Sequence, residues 1–186
     1  MNDLRATPNL LTFLRLFIAP FLVLGVLDGN YKLAFGLFLL AGITDAMDGL
    51  LARVLNQETM LGQYLDPVVD KLLLSTLFLV LHHAGLISLG VTVMVFARDL
   101  GILMVAATLY ATTSIRNFKP TIFGKSNTVA QIVAVAAVIL SQFFSPAWVV
   151  LLRDWALGAT VLLTLVSGVH YAWRVMRQIG SAGATA

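Results

Sequence analysis

Six stretches of about 20 residues, almost wholly apolar and closed off by polar or turn-forming segments, dominate this sequence. They run about Asn9–Leu27, Leu33–Val54, Leu61–Leu81, Ile87–Tyr110, Asn127–Phe144 and Trp148–Tyr171. Crossing the ~30 Å hydrocarbon core of a bilayer takes about 20 helical residues, so each stretch is long enough to span it. Between them lie Asp28-Gly29-Asn30, Asn56-Gln57-Glu58-Thr59, His82-His83-Ala84-Gly85, the longer Ala111–Ser126, and Ser145-Pro146. A membrane β-barrel would instead need segments of roughly ten residues with alternating polarity. The run VAVAAVIL is apolar on every side, which favours helices.

Composition removes the other classes. Hydrophobic residues make up 59% of the 186 and charged residues 11%, against roughly 25% charged in a soluble domain. A soluble fold of this size still exposes about 30% of its chain surface and could not hide so much apolar area. Soluble, disordered, collagen-like and coiled-coil readings therefore fail. The expected fold is an all-α integral membrane protein with six transmembrane helices, residues 1–178 forming one transmembrane domain and 179–186 a disordered tail. The segment MNDLRATPNLL enters the first span with no small-residue cleavage site, so it reads as a retained span rather than a signal peptide. The absence of cysteine excludes disulfides and thiolate chemistry. The net charge of +3 is scattered at span ends rather than gathered in a stripe, so no nucleic acid partner is expected.

Lysine and arginine near span ends orient the chain. Arg5, Arg53, Arg116, Lys119, Lys125, Arg174 and Arg177 fall on the side of the termini, against Lys32 and Arg153 opposite. Both termini and the Ala111–Ser126 loop are thus expected in the cytoplasm. Trp148, Trp155, Trp173 and Tyr171 suit interfacial belts, and His82 and His83 a solvated loop at the far surface.

Ionisable groups inside spans are costly and usually functional. Here they are Arg15, Asp45, Asp48, Arg53, Asp66, Asp70, Lys71, Arg98 and Asp99. Asp45 and Asp48 are i, i+3 and Asp66 and Asp70 are i, i+4, so each pair shares a helix face. The midpoint of the two pairs falls in the Asn56–Thr59 turn, so a hairpin hinged there sets all four at one depth, roughly 10 Å below the cytoplasmic surface at 1.5 Å per residue. Four such carboxylates cannot all ionise unaided. Arg53 and Lys71 could offset two, and oxygen-only ligands suit two hard divalent cations, Mg²⁺ or Mn²⁺, with Ca²⁺ as an alternative occupant. Two metals form the clamp used in phosphoryl-type displacements. The acids could otherwise be interhelical glue, or a proton or cation relay in a transporter. Glue would not need four acids against two bases, and a relay would need acids in both membrane halves. Gly49 and Ala52 leave room for a flat group at the helix backbone, and equally for tight helix packing.

Residues 45–70 read DAMDGLLARVLNQETMLGQYLDPVVD, that is DxxDGxxAR, eight residues, then GxxxDxxxD. Asp45, Asp48, Gly49, Ala52, Arg53, Gly62, Asp66 and Asp70 match every fixed position of the CDP-alcohol phosphatidyltransferase signature, and the chain resembles that family over about residues 7–175, including PNLLTFLR at Pro8–Arg15. The resemblance implies an enzyme with six transmembrane helices, usually a homodimer, in a bacterial inner membrane or its mitochondrial equivalent, its site facing the cytoplasm. It implies transfer of a phosphatidyl group from CDP-diacylglycerol to an alcohol with release of CMP. It makes the four aspartates metal ligands and Asp70 also the base. Gly49, Ala52, Arg53, Gly62, Asn9 and Thr12 would bind the donor, and Arg98, Lys125 and Lys71 acceptor phosphate.

Two branches of the family look closest, one using phosphatidylglycerol to make cardiolipin and one using glycerol 3-phosphate. The segments FARDLGILMVAATLYATT and KPTIFGKSNTVAQ resemble the first. Glycerophosphate-using relatives more often carry Ala-Arg-Glu and a further arginine about two turns on, where this chain has Val105, Ala106 and Ala107. Phosphatidylglycerol is therefore the expected acceptor and glycerol 3-phosphate the alternative. Asp99, about 100° round the helix from Arg98, reads as structural.

Overall fold

The computed structural model describes the backbone over residues 7–54, 60–112 and 122–183, and side chains over 14–47, 71–104, 122–171 and 173. The described residues form six helices: α1 (Thr7–Leu27), α2 (Tyr31–Val54), α3 (Met60–His83), α4 (Leu89–Thr112), α5 (Ile122–Ser141) and α6 (Ala147–Gly183).

Their ends follow local chemistry. Gly29 adopts φ 71° after α1, the left-handed conformation that closes a helix without a Cβ penalty. Asn30 then caps α2, its Oδ1 accepting from the Leu33 amide at 3.3 Å. Gly85, at φ 75°, performs the same service after α3. In the following turn His82 Nδ1 donates to the Ile87 carbonyl at 2.9 Å. Ser145-Pro146 stops α5 from continuing and precedes the first turn of α6.

Two boundaries differ from expectation. Helix α5 starts at Ile122, several residues before Asn127, so Lys125 belongs to its first turns rather than to a loop. Helix α6 runs to Gly183 over 37 residues, so residues 179–183, expected in a disordered tail, are helical. No proline interrupts this segment, and its two glycines, Gly180 and Gly183, cost a helix only about 1 kcal/mol each.

The core is where the helices meet. Leu22 of α1, Leu77 and Phe78 of α3, Val95 of α4 and Val138 of α5 are fully buried. Helices α1 and α2 approach closely, with the position of a Cβ on Gly25 only 3.4 Å from the Ala34 side chain. Helix α1 packs on both α2 and α3, and α5 packs on α2, α3 and α6. The outer faces are as apolar as the core, with Phe17, Ile43, Leu72, Val93, Ile132 and Trp155 all exposed. Among the described residues, two segments are long and apolar enough to cross a membrane, Ile122–Ser141 and Ala147–Tyr171.

Candidate functional site

The motif acids sit on the two helices that α1 joins. Asp45 and Asp48 lie on α2, Asp66 and Asp70 on α3. Asp45 is the motif acid whose side chain is described. Arg15 of α1 places Nη2 2.6 Å from its Oδ1. Arg15 is 2% exposed and Asp45 49%. A carboxylate offers about four lone-pair sites, so a half-exposed Asp45 held by one guanidinium can still ligate a hard cation. The neighbouring Thr44 hydroxyl is turned back onto the Leu40 and Ala41 carbonyls, at 3.0 and 2.9 Å, and takes no part.

Arg15 and Asp45 line one part of a cavity of about 470 Å³ between α2, α3, α5 and α6. Its walls are otherwise mostly apolar and include Phe38, Gly42, Ile43, Leu74, Ala136 and Leu152. Ile43 and Leu152 are also exposed on the outer surface, so the cavity is bordered by the apolar exterior of the bundle. Thr128, another lining residue, accepts from Lys71 Nζ at 3.3 Å.

That lysine leads to a buried polar junction. Lys71 Nζ of α3 donates to Asp99 Oδ1 of α4 at 3.1 Å, and Arg98 Nη1 donates to the same oxygen at 2.6 Å. Gln131 of α5 donates to Asp99 Oδ2 at 3.4 Å. Arg98 Nε also donates to Ser167 of α6 at 3.0 Å, joining four helices. Asp99 is 2% exposed, Arg98 7% and Lys71 21%. One helical turn away, Thr164 of α6 donates to the buried Asn127 of α5 at 3.1 Å.

The structure therefore brings Lys71 and Arg98 together on Asp99. Lys125 is exposed near the start of α5, and the described contacts of Asp99 come from Lys71, Arg98 and Gln131. Asn9 and Thr12 on α1, Asp48, Gly49, Ala52 and Arg53 on α2, and Gly62, Asp66 and Asp70 on α3 have side chains outside the described residues. Among the described residues, no three acidic or histidine side chains gather into a metal site. Neither the pairing of Arg15 with Asp45 nor the role of Asp99 as a hub follows from spacing along a single helix. One signal of the junction is visible in the sequence. Asn127 and Gln131 are i, i+4 on α5, and Thr160, Thr164 and Ser167 are i, i+4, i+7 on α6, one polar face on each apolar helix.

The sequence model of the CDP-alcohol phosphatidyltransferases matches residues 5–166. A cardiolipin synthase (CMP-forming) of Rattus norvegicus is 34% identical over 92% of this chain. That of Homo sapiens is 33% identical over the same share. The chain spans 63% of the length of either. A probable phosphatidylglycerophosphate synthase of Mycobacterium tuberculosis (strain CDC 1551 / Oshkosh) is 32% identical, over 96% of this chain and 85% of its own.

Proposed function

The chain belongs to the CDP-alcohol phosphatidyltransferase family, and from that membership we propose that it transfers the phosphatidyl group of CDP-diacylglycerol to phosphatidylglycerol, forming cardiolipin and releasing CMP. The observation that carries the reading is the full eight-position motif on α2 and α3, with Asp45 anchored by Arg15 beside an apolar cavity. Phosphatidylglycerol and the donor are both lipids, and a cavity bordered by the apolar exterior suits acyl chains entering from the side.

All six helices cross the membrane in this reading, with both termini and the site cytoplasmic. The exposed apolar residues on every helix support it, because a water-facing surface so apolar would associate or aggregate. The protein works as a homodimer.

Asp45, Asp48, Asp66 and Asp70 hold two divalent cations, Mg²⁺ or Mn²⁺, with Ca²⁺ as an alternative occupant. The cations supply charge neutralisation at the donor pyrophosphate and at the departing CMP. Gly49, Ala52, Arg53 and Gly62, with Asn9 and Thr12, cradle the cytidine and its phosphates. The acceptor hydroxyl oxygen forms a bond to the phosphatidyl phosphorus as the bond from that phosphorus to the CMP oxygen breaks. Its proton passes to the Asp70 carboxylate. Arg98, Lys71 and Lys125 attract the acceptor's phosphate.

Glycerol 3-phosphate is the second reading, favoured by the likeness to the mycobacterial protein over 85% of that protein's length. Purified protein offered CDP-diacylglycerol, Mg²⁺ and each acceptor separately separates the two. Cardiolipin from phosphatidylglycerol is the expected product on thin-layer plates. Phosphatidylglycerophosphate with no cardiolipin moves the chain to the second reading. Release of no CMP with any alcohol, inositol and serine included, defeats both readings of the acceptor.

A further inference from the structure

We propose that Phe35, braced by Phe143, is a specificity-determining residue that closes the apolar end of the cavity and sets how long a donor acyl chain can lie there. It rests on the reading above, in which CDP-diacylglycerol is the donor. The cavity of about 470 Å³ has one polar end, lined by Arg15, Asp45 and Thr128, and apolar walls beyond. Phe35 and Leu140 line the end far from Asp45. The Phe35 and Phe143 rings meet edge to face with centroids 5.7 Å apart, tying the early part of α2 to the turn after α5. The two helices thus run antiparallel along the cavity. Phe35 also packs against the buried core, so it cannot swing aside without disturbing its neighbours.

Length follows from the helix. From Phe35 to Asp45 the rise along α2 is about 15 Å at 1.5 Å per residue. A carbon–carbon bond of about 1.5 Å in an extended zigzag advances a chain by about 1.3 Å, so the cavity has the length of about twelve carbons. The occupant is a donor chain because of where the polar end lies. Asp45 belongs to the motif that holds cations at the donor pyrophosphate in the reading above, and the diacylglycerol is esterified to that same pyrophosphate. One of its chains therefore starts at the polar end and runs toward Phe35. Leu39, Ile43 and Ile132 line the cavity and are also exposed on the exterior, so the chain enters sideways from the bilayer. Lipid tails gain little by leaving other lipid tails, so fit rather than escape from water discriminates between chains. A chain longer than the cavity must press on Phe35 or bend out between α2 and α5, and either costs free energy.

The test is an internal competition in mixed micelles. Purified protein receives equal amounts of CDP-diacylglycerol with twelve-carbon and with eighteen-carbon saturated chains, together with the acceptor it uses, and the lipid products are counted by mass spectrometry. Their ratio reports relative kcat/KM and does not depend on how much of a variant is folded. Phe35→Ala should raise the ratio of long-chain to short-chain product at least about threefold. Phe35→Trp, which adds bulk at the same place, should lower it. Phe17→Ala removes an exposed ring of α1 away from the cavity and should leave it unchanged. A smaller rise in Phe35→Ala overturns the proposal. So does a shift in the same direction in Phe35→Trp, or an equal one in Phe17→Ala. A wild type that releases no CMP from either donor with any acceptor defeats the parent reading instead, and this inference with it.

Discussion

Lys71 on α3 and Asp99 on α4 lie 3.1 Å apart, and Lys71 directly follows the last acid of the motif. Successive residues on a helix are about 100° apart, so pinning Lys71 to α4 also fixes the direction in which α3 presents position 70. The contact fastens α3 to α4 one residue beyond the position proposed above as the base.

Asp70→Asn should therefore leave the helix in place and remove the base. CMP release should fall at least about a hundredfold in kcat, while CDP-diacylglycerol binding changes by no more than a few-fold. Equilibrium binding of the donor beside steady-state kinetics separates the two. Donor affinity falling as far as turnover would make Asp70 chiefly a metal ligand.

Asp45→Asn, Asp48→Asn and Asp66→Asn should each abolish turnover, since a site sharing two cations loses both geometries with one ligand. EDTA should silence the wild type, with Mg²⁺ or Mn²⁺ restoring it. Full activity in chelator would end the metal reading.

Arg15→Met strips Asp45 of its buried partner. The stability lost should be about 1–2 kcal/mol, below the ~3–5 for a fully buried pair, because Asp45 is 49% exposed and can be solvated. Turnover should fall at least about tenfold as Asp45 leaves its position. Thermal unfolding in detergent and CMP release check the two effects. Unchanged turnover would show that the ion pair is only structural.

Gly42 lines the cavity on α2, and a Cβ there meets nothing within 4 Å. Gly42→Phe should leave the melting temperature unchanged or slightly raised, since most residues favour a helix over glycine by up to about 1 kcal/mol. It should raise KM for long-chain CDP-diacylglycerol several-fold and affect a short-chain donor less. Equal effects on both donors would mean that the cavity does not take acyl chains.

The helices were legible because an apolar run bounded by Asp28-Gly29-Asn30 or Ser145-Pro146 leaves little choice of where a helix stops. The extra turns at Ile122 and beyond Ile179 were not, since helices run into polar sequence at low cost wherever no proline or cap halts them. In the site, spacing grouped the acids of each helix but could not choose their partners. Arg15 was noticed as a charge in the first span, yet its pairing with Asp45 depends on how α1 packs against α2. Asp99 reads as structural at its place beside Arg98, but its partners Lys71 and Gln131 come from α3 and α5, which spacing along α4 alone cannot name.

The Arg15–Asp45 pair also bears on how the chain is made. Arginine or aspartate alone costs roughly 2.5–3.5 kcal/mol at the centre of an inserting helix. These two lie on consecutive helices joined by a three-residue turn, so they can meet before α3 is synthesised. In the six-span arrangement proposed above, the first hairpin then leaves the translocon with this pair already neutralised. A variant lacking either charge would burden biogenesis before it ever reached catalysis.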